Sequence, residues 1–185
     1  MDTEENKQDI DHLMRLAKAG DSDAFAQIYD RFFTPVYRYV YFRVKSKHEA
    51  EDIAQSVFLK AYEAISRFEE QGKNPLAYFF TIARNTVINF WRKKKEIVTA
   101  ELEAVSGRIP DIAHDPNDLI DDHESVRAIR VGLASLTDEQ AEVISMKFIG
   151  ELSNKEIAEA LGKTEEAVRQ LQSRGLRSLK EKLQI

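Results

Sequence analysis

Residues 152–183 read LSNKEIAEALGKTEEAVRQLQSRGLRSLKEKL, and their pattern predicts the local structure of the C-terminal part of the chain. Ser153 and Glu156 have the spacing of a capping box, in which two side chains satisfy free N–H groups at a helix start. A short helix then reaches Gly162, a residue suited to the left-handed end of a helix. Thr164 can cap a second, longer helix. Two helices joined by a tight turn are the outline of a helix-turn-helix motif.

The second helix carries a polar face that suits the major groove of duplex DNA, where its N-terminal half would meet the base edges. Arginine and glutamine can form paired hydrogen bonds to guanine and adenine there. The alternative is an ordinary solvated surface, because both residue types also favour helices. The residues of this face are Arg169, Gln170, Ser173, Arg174 and Arg177.

Helix signals dominate the rest of the chain as well. Capping-box spacing occurs at Ser46 with Glu49 and at Thr137 with Gln140, and Asn74 precedes a proline suited to a first helical position. No segment of any length alternates apolar and polar residues as a strand would. We therefore predict an all-α protein. The expected helices lie near residues 9–19, 23–44 (with a break at Pro35), 47–66, 75–95, 124–134, 138–148, 154–161 and 165–183.

Composition excludes several classes of protein. The 185 residues include no cysteine, which excludes disulfide frameworks, cysteine zinc sites, iron–sulfur clusters and thiol nucleophiles. The start, MDTEENKQDIDHL, does not resemble a secretory signal, and no apolar run is long enough to cross a membrane. There is no glycine-rich phosphate loop and no defensible catalytic triad. We therefore expect no catalytic residue, no metal, no cofactor and no membrane insertion.

Negative charge is concentrated in one segment. Residues 96–125 contain nine acids and a single base, Arg108, so they carry −8 and leave +3 on the remainder of a chain with net charge −5. The segment also holds Pro110 and Pro116, which is typical of a linker. We predict three parts: a domain at 1–95, a flexible acidic linker at 96–123 and a domain at 124–185. The free linker could fold over the basic surfaces and suppress stray DNA binding.

The helix expected from Pro75 mixes aromatic and basic residues, PLAYFFTIARNTVINFWRKKK. Core packing accounts for most of its aromatics. Lysine and arginine favour a helix C-terminus, but that does not account for four cations in succession after Trp91. Aromatic rings for stacking, with cations for phosphates, are the composition of a single-strand binding surface.

Together these motifs resemble a known family, the extracytoplasmic-function (ECF) sigma factors of bacterial RNA polymerase. The resemblance is carried by AEDIAQSVFLKAY (50–62), by Arg67-Phe68, by Ile82-Ala83-Arg84-Asn85, by LTDEQ (136–140) and by the helix-turn-helix. It implies that 1–95 is sigma region 2, that 124–185 is sigma region 4, and that the protein is an alternative sigma factor of the bacterial cytoplasm. The implied partners are core RNA polymerase, promoter DNA and an anti-sigma factor.

The resemblance also implies site residues. Asp52, Gln55, Ser56 and Phe58 match the helix that docks on the clamp coiled coil of the largest polymerase subunit, although Ser56 stands where the family usually has an acid. Loop residues 69–74 match the part that shapes a pocket for a flipped −10 base. The residues implied to contact the −35 element are Arg169, Gln170, Ser173, Arg174 and Arg177. Those implied to contact the −10 element are Phe68, Arg84, Asn85, Asn89, Trp91, Arg92 and Lys93.

Two other interpretations stay open at this point. A stand-alone helix-turn-helix regulator would bind its operator unaided and use the N-terminal part for dimerisation or effector binding. A sigma-like protein could also bind polymerase without promoter activity, since Ser56 and Leu171 depart from the family pattern.

Overall fold

A computed structural model describes residues 2–44, 46–68, 74–104 and 124–183, and every regular element within these ranges is helical. The all-α prediction is therefore confirmed. The predicted residues 69–73 of the pocket loop and 105–123 of the linker lie outside the described ranges. The helices are α1 (Asp2–Lys18), α2 (Ser22–Arg43), α3 (Lys47–Ala64), a single 3-10 turn (Ile65–Arg67), α4 (Pro75–Ala104), α5 (Glu124–Ala134), α6 (Asp138–Phe148), α7 (Asn154–Leu161) and α8 (Glu165–Leu183).

Helix starts follow the predicted caps, with one exception. Thr137 and Ser153 each form a complete capping box, at the starts of α6 and α7. Ser46 caps α3 by accepting from the Glu49 N–H at 3.4 Å. The Glu49 carboxylate, however, accepts a 2.7 Å hydrogen bond from Lys94 Nζ on α4. Because Glu49 forms this ion pair with another helix, its carboxylate does not complete the capping box.

The expected break at Pro35 is wrong. Proline removes one backbone donor, yet α2 runs through it from Ser22 to Arg43. Phe32, Val36 and Tyr39 on the same helix are all buried, so core packing holds the turns on both sides of the proline in line. The fourth helix is also longer than the predicted 75–95, since α4 ends at Ala104.

An apolar stripe along α3 and the following 3-10 turn forms part of the core of the N-terminal half. Ile53, Val57, Ala61 and Ile65 are all buried against α2 and α4. Aromatic rings fill the space between the helices, with Phe79 of α4 in edge contact with Phe32 and tilted against Phe58. The first four helices thereby form one bundle around an aromatic centre.

The C-terminal helices pack against this bundle. Val143, Met146, Leu152 and Ile157 are fully buried in the same apolar cluster as α2 and α4. Helix α7 lies against α4 and helix α5 lies against α2. A smaller cluster around Leu133 joins α5, α6 and α8. In this arrangement α5–α8 share a core with the N-terminal bundle. The predicted boundaries at 95 and 123 stay predictions.

No helix in the described part of the chain is long and apolar enough to cross a membrane.

Candidate nucleic-acid interface

Helix α8 is seated so that its polar face points outward. Gly162 ends α7 in the left-handed conformation, with φ 63°, and the Thr164 hydroxyl accepts from the Ala167 N–H at 3.2 Å. Val168 is fully buried. A Cβ added at Gly175 would lie 3.0 Å from Ile144 Cγ1, so α8 approaches α6 closely. These contacts fix the rotation of α8 about its axis.

All five predicted −35 residues are consequently exposed, and they lie along the outer side of α8. Two of them are held by an acid on the same helix. The Glu166 carboxylate accepts from Arg169 Nε at 3.1 Å and from Gln170 Nε2 at 3.2 Å. These hydrogen bonds, that from Gln170 first, lower the pKa of Glu166. In the free chain the Glu166 carboxylate therefore engages side-chain donors of two predicted −35 residues.

Helix α4 carries the second polar face. Asn85, Asn89, Arg92 and Lys93 are exposed and follow helical spacing, so the structure brings four predicted −10 residues to one side. Arg92 Nε lies 3.9 Å from Glu96 Oε1 at its far end. The face combines amide groups with cations, a pairing that suits both bases and phosphates.

Trp91 is half-buried, whereas the sequence suggested an exposed ring. Its Nε1 donates to the backbone carbonyl of Arg43 at 3.2 Å. Lys94 Nζ lies 5.6 Å from the Trp91 ring centroid and 5.4 Å from that of Phe90. The indole thus joins the C-terminal end of α2 to the middle of α4, and only part of it is available for stacking.

Phe68 lies in the core with 8% of its surface exposed. Its ring is in edge contact with Tyr78 at 5.1 Å between centroids, and its carbonyl accepts from Lys18 Nζ at 2.7 Å. Burial raises the pKa of the Tyr78 phenol. Phe68, Asn74 and Tyr78 line a cleft of about 330 Å³, but Asn85 does not.

The predicted polymerase face of α3 is divided. Asp52 and Gln55 are exposed, Ser56 is half-buried and Phe58 lies in the core. Asp52 Oδ2 lies 3.0 Å from His48 Nδ1. A hydrogen bond to the backbone of His48 itself, followed by the charge of Asp52, raises the pKa of this imidazole.

Sequence reasoning missed one group of residues, which joins the two halves of the molecule. The buried carboxylate of Glu142, on α6, accepts from Tyr39 Oη at 2.6 Å and from Arg43 Nη2 at 2.8 Å. Arg84 Nε of α4, predicted to contact −10 DNA, lies 4.0 Å from Glu142 Oε1. The available signal was an acid in the buried run Ala141–Met146, a position that carboxylates occupy only with partners.

Across the described ranges, no three side chains among histidine, aspartate and glutamate come together as a metal site would require.

Comparison with known protein families accounts for both halves of the chain. Residues 28–97 match the family model Sigma-70 region 2, and residues 132–181 match Sigma-70, region 4. The first match contains the α3 and α4 faces, and the second contains the helix-turn-helix. An all-α chain that carries these two regions in this order falls in the class of RNA polymerase sigma factors.

Similar sequences identify the family of sigma factors to which the chain belongs. The ECF RNA polymerase sigma factor SigW of Bacillus subtilis is 34% identical over 181 residues, which cover 94% of this chain and 96% of SigW. BldN of Streptomyces coelicolor, also an ECF sigma factor, is 35% identical over 170 residues, 90% of this chain but 63% of BldN. The chain belongs to the ECF family of RNA polymerase sigma factors. An alternative sigma factor is thus favoured over a stand-alone regulator.

Solved structures share the fold. CnrH, solved in complex with the cytosolic domain of CnrY, superposes with a TM-score of 0.73 at 21% identity and covers 95% of this chain and 97% of its own. RpoE, solved with the anti-sigma factor NepR from Bartonella quintana, gives a TM-score of 0.70 at 24% identity, over 87% and 97%.

Proposed function

We propose that this protein is a specificity subunit that binds core RNA polymerase and directs it to promoters, with no bond chemistry of its own. The observation that carries the proposal is the pair of exposed polar faces, one on α4 and one on α8, within the two matched sigma regions. The protein would act in the bacterial cytoplasm, where the polymerase transcribes.

The −35 element would be read as duplex by α8. Arg169, Gln170, Ser173, Arg174 and Arg177 are exposed on a helix that follows a tight turn, which is the geometry of a recognition helix. Binding requires that Arg169 and Gln170 leave Glu166 or share their donors between it and the DNA.

The −10 element would be opened and held by α4. Asn85, Asn89, Arg92 and Lys93 supply polar and basic contacts along one face. A flipped base fits the chemistry of the cleft beside Phe68, whose wall includes Tyr78 and Asn74. The role that the family resemblance implies for residues 69–73 in such a pocket stays a prediction, since they lie outside the described ranges. Trp91 and Arg84 would flank the same strand.

The free energies involved indicate that promoter DNA would be opened by the holoenzyme and not by this protein alone. Separating a base-pair step costs about 1.4 kcal/mol, whereas one base stacked on an aromatic ring returns about 1–3 kcal/mol. Four or five steps therefore exceed what the α4 face supplies alone. The polymerase has to provide the remainder through its own contacts to DNA.

Polymerase docking would use the exposed part of α3. Asp52 and Gln55 offer acceptors and donors to the clamp coiled coil of the largest subunit, and Ser56 lies beside them. Phe58 would act indirectly, because its ring packs against Tyr29 and Phe79 and fixes α3 on the bundle. An anti-sigma factor would be the regulatory partner, as NepR is in its complex with RpoE.

Run-off transcription with core polymerase tests this function. The protein is added to core enzyme on a pool of genomic fragments, and the transcript starts are mapped. We expect starts that share two spaced elements and vanish without the protein. Tight binding of a defined duplex by the protein alone, without polymerase-dependent starts, would instead establish a stand-alone regulator.

Matched variants test the assigned faces. Arg174→Ala should abolish −35-dependent starts, whereas Lys182→Ala, also exposed and on the same helix, should leave them intact. Asn85→Ala should impair opening, with Thr99→Ala as the exposed control on α4. Asp52→Ala should weaken core binding, and Glu63→Ala, exposed on α3, should not. Equal effects of a variant and its control would refute the assignment concerned.

A further inference from the structure

An anion-binding site on the N-terminal bundle is occupied by a carboxylate from the C-terminal half. Tyr39 Oη and Arg43 Nη2 both donate to Glu142, at 2.6 and 2.8 Å, and Arg84 stands 4.0 Å away. Tyr39 is fully buried, and 12% of the Arg43 side chain is exposed. The donors come from α2 and α4, so the site belongs to the bundle and only its occupant comes from α6.

The donors of this site exceed what the occupant can satisfy. Two guanidinium groups face one carboxylate, which leaves an excess positive charge. Arg43 Nη1 and Arg84 Nε are buried and have no hydrogen-bond acceptor among the residues that the structure describes. A phosphate offers more acceptor oxygens than a carboxylate and pairs with the same planar guanidinium fork. The site is therefore better matched to a phosphate than to Glu142.

The position of the site points to the source of the phosphate. Arg84 precedes Asn85, the first residue of the exposed polar face of α4. The carbonyl of Arg43 accepts from the indole of Trp91, which lies on the inner side of α4 next to Arg92 of that face. Arg84 therefore flanks the face of Asn85 and Asn89, and the backbone of a strand held on that face would pass beside Arg84 and the neighbouring Arg43.

In the described arrangement the C-terminal half covers this path. The cleft beside Phe68 and Tyr78 is also lined by Glu156 and Glu159 of α7. Two further carboxylates thus face the region that DNA phosphates would enter, and they would repel them. The packed form would therefore disfavour binding of a strand at the α4 face.

We propose that Glu142 is an internal substitute for a backbone phosphate of promoter DNA in the site formed by Tyr39, Arg43 and Arg84. In the free chain this contact latches the two halves together and covers the α4 face; when the halves part, Arg43 and Arg84 take a phosphate of the −10 strand. The inference rests on the proposed function, because it names a contact of the same DNA site.

Opening is chemically feasible because both partners of the latch regain solvent. Removing one member of a buried ion pair leaves an unpaired charge and is costly, whereas separating the pair intact lets water hydrate both charges. Interfaces between domains of one chain commonly permit such relative motion. A polymerase that grips the two halves apart could therefore expose the site.

The test uses the full chain with Glu142→Gln, which keeps the size of the side chain and removes its charge. Because the chain has no cysteine, dyes can be attached at Glu63→Cys and Lys180→Cys, one exposed position in each half. Fluorescence transfer reports the separation of the halves, and anisotropy reports the binding of oligothymidine, a probe dominated by phosphate and stacking contacts.

We expect Glu142→Gln to lower transfer and to raise oligothymidine affinity by about tenfold at low salt, the ratio expected for one charge-assisted hydrogen bond. The slope of log affinity against log salt should steepen by about 0.7, the value for one added phosphate contact on a single strand. Adding Arg43→Gln to this variant should reverse both gains while leaving transfer low. The matched control Glu139→Gln removes an exposed charge from the same helix and should change neither quantity.

If the halves separate in Glu142→Gln but oligothymidine binding depends on salt no more steeply than in the wild type, the phosphate site is refuted. If fluorescence transfer is unchanged, the latch is refuted. If Glu142→Gln does not fold, Glu142→Asp keeps the charge but shortens its reach, and should give a smaller change in the same directions. Run-off transcription by the wild-type protein is measured in parallel. Absence of promoter-specific starts refutes the proposed function, whereas specific starts with an unresponsive Glu142→Gln refute only this inference.

Discussion

The phenol oxygen of Tyr39 lies 2.6 Å from the carboxylate of Glu142, a residue 103 positions further along the chain. Tyr39 is fully buried, and its ring is also in edge contact with Phe80 at 5.1 Å. Packing of the ring thus positions the hydroxyl group for its hydrogen bond to Glu142. This hydrogen bond and that from Arg43 to the same carboxylate connect region 2 to region 4.

Replacing Tyr39 by phenylalanine should destabilise the packed form. The ring contacts survive, but a buried carboxylate loses a donor, and such a loss costs about 1–3 kcal/mol. Urea unfolding followed by circular dichroism measures the change. Tyr37→Phe, at a half-buried position, is the control, and it should lower the free energy of unfolding by less. A Tyr39→Phe protein as stable as the wild type would contradict a role for this hydroxyl.

Alkaline pH should weaken the fold. Burial, followed by the charge of Glu142, raises the pKa of Tyr39 well above its usual value of 10.0. The unfolded chain therefore loses this proton at lower pH than the folded chain. The stability contributed by neutral Tyr39 is complete below pH 10 and is lost as pH rises above it.

Urea midpoints measured across pH 8 to 11 check this expectation. The decline above pH 10 should be shallower in Tyr39→Phe than in the wild type. Parallel declines in the two proteins would mean that other groups account for the alkaline sensitivity.

Gly150→Ala should disrupt the contact between the two halves. A Cβ at this position would lie 2.8 Å from the Met146 carbonyl oxygen and 2.8 Å from Phe80 Cζ. The Met146 backbone and the fully buried Phe80 ring cannot shift easily. We therefore expect the free energy of unfolding to fall by about 1–3 kcal/mol, as in other overpacked cores. Thermal unfolding measures it.

Gly132→Ala is the control, because its new Cβ would crowd the flexible end of the Leu179 side chain, at 2.9 Å, and would make ordinary contact with Leu183 at 3.6 Å. Alanine also favours a helix interior by about 1 kcal/mol. Gly132→Ala should therefore be near neutral. Equal losses from both substitutions would indicate a general effect of filling these sites.

Glu166→Gln should strengthen DNA binding by α8. The substitution removes a negative charge from the recognition helix and weakens the hold on Arg169 and Gln170. We expect higher affinity of the holoenzyme for −35 duplexes at low salt, with the gain shrinking as salt screens the charge. Anisotropy titrations measure it, with Glu181→Gln, exposed at the other end of α8, as the control. A gain that is equal for both variants would assign the effect to net charge alone.

Local structure was readable from the sequence because its signals are local. Thr137, Ser153 and Gly162 end or begin helices through contacts within a few residues. The outward face of α8 also followed, since the helical period places the buried Val168 opposite the centre of the exposed polar face. The family resemblance came from the same order of local motifs.

Failures of sequence reasoning occurred where distant residues compete. Pro35 has the chemistry of a helix breaker, but the core around Val36 and Tyr39 keeps α2 intact. Glu49 had the spacing to close a capping box, but Lys94 took its carboxylate. Trp91 looked exposed beside four cations, yet a carbonyl on α2 receives its N–H.

By itself the sequence determined that this chain is helical, where most of its helices begin and end, and which sides of α4 and α8 are polar, because these properties depend on neighbours within a turn or two. Only the tertiary structure decided that the carboxylate of Glu142 meets Tyr39 and Arg43, and that α7 covers the cleft beside Phe68. Such contacts depend on how whole helices dock, and docking is set by the shape of a shared core that local periodicity does not encode.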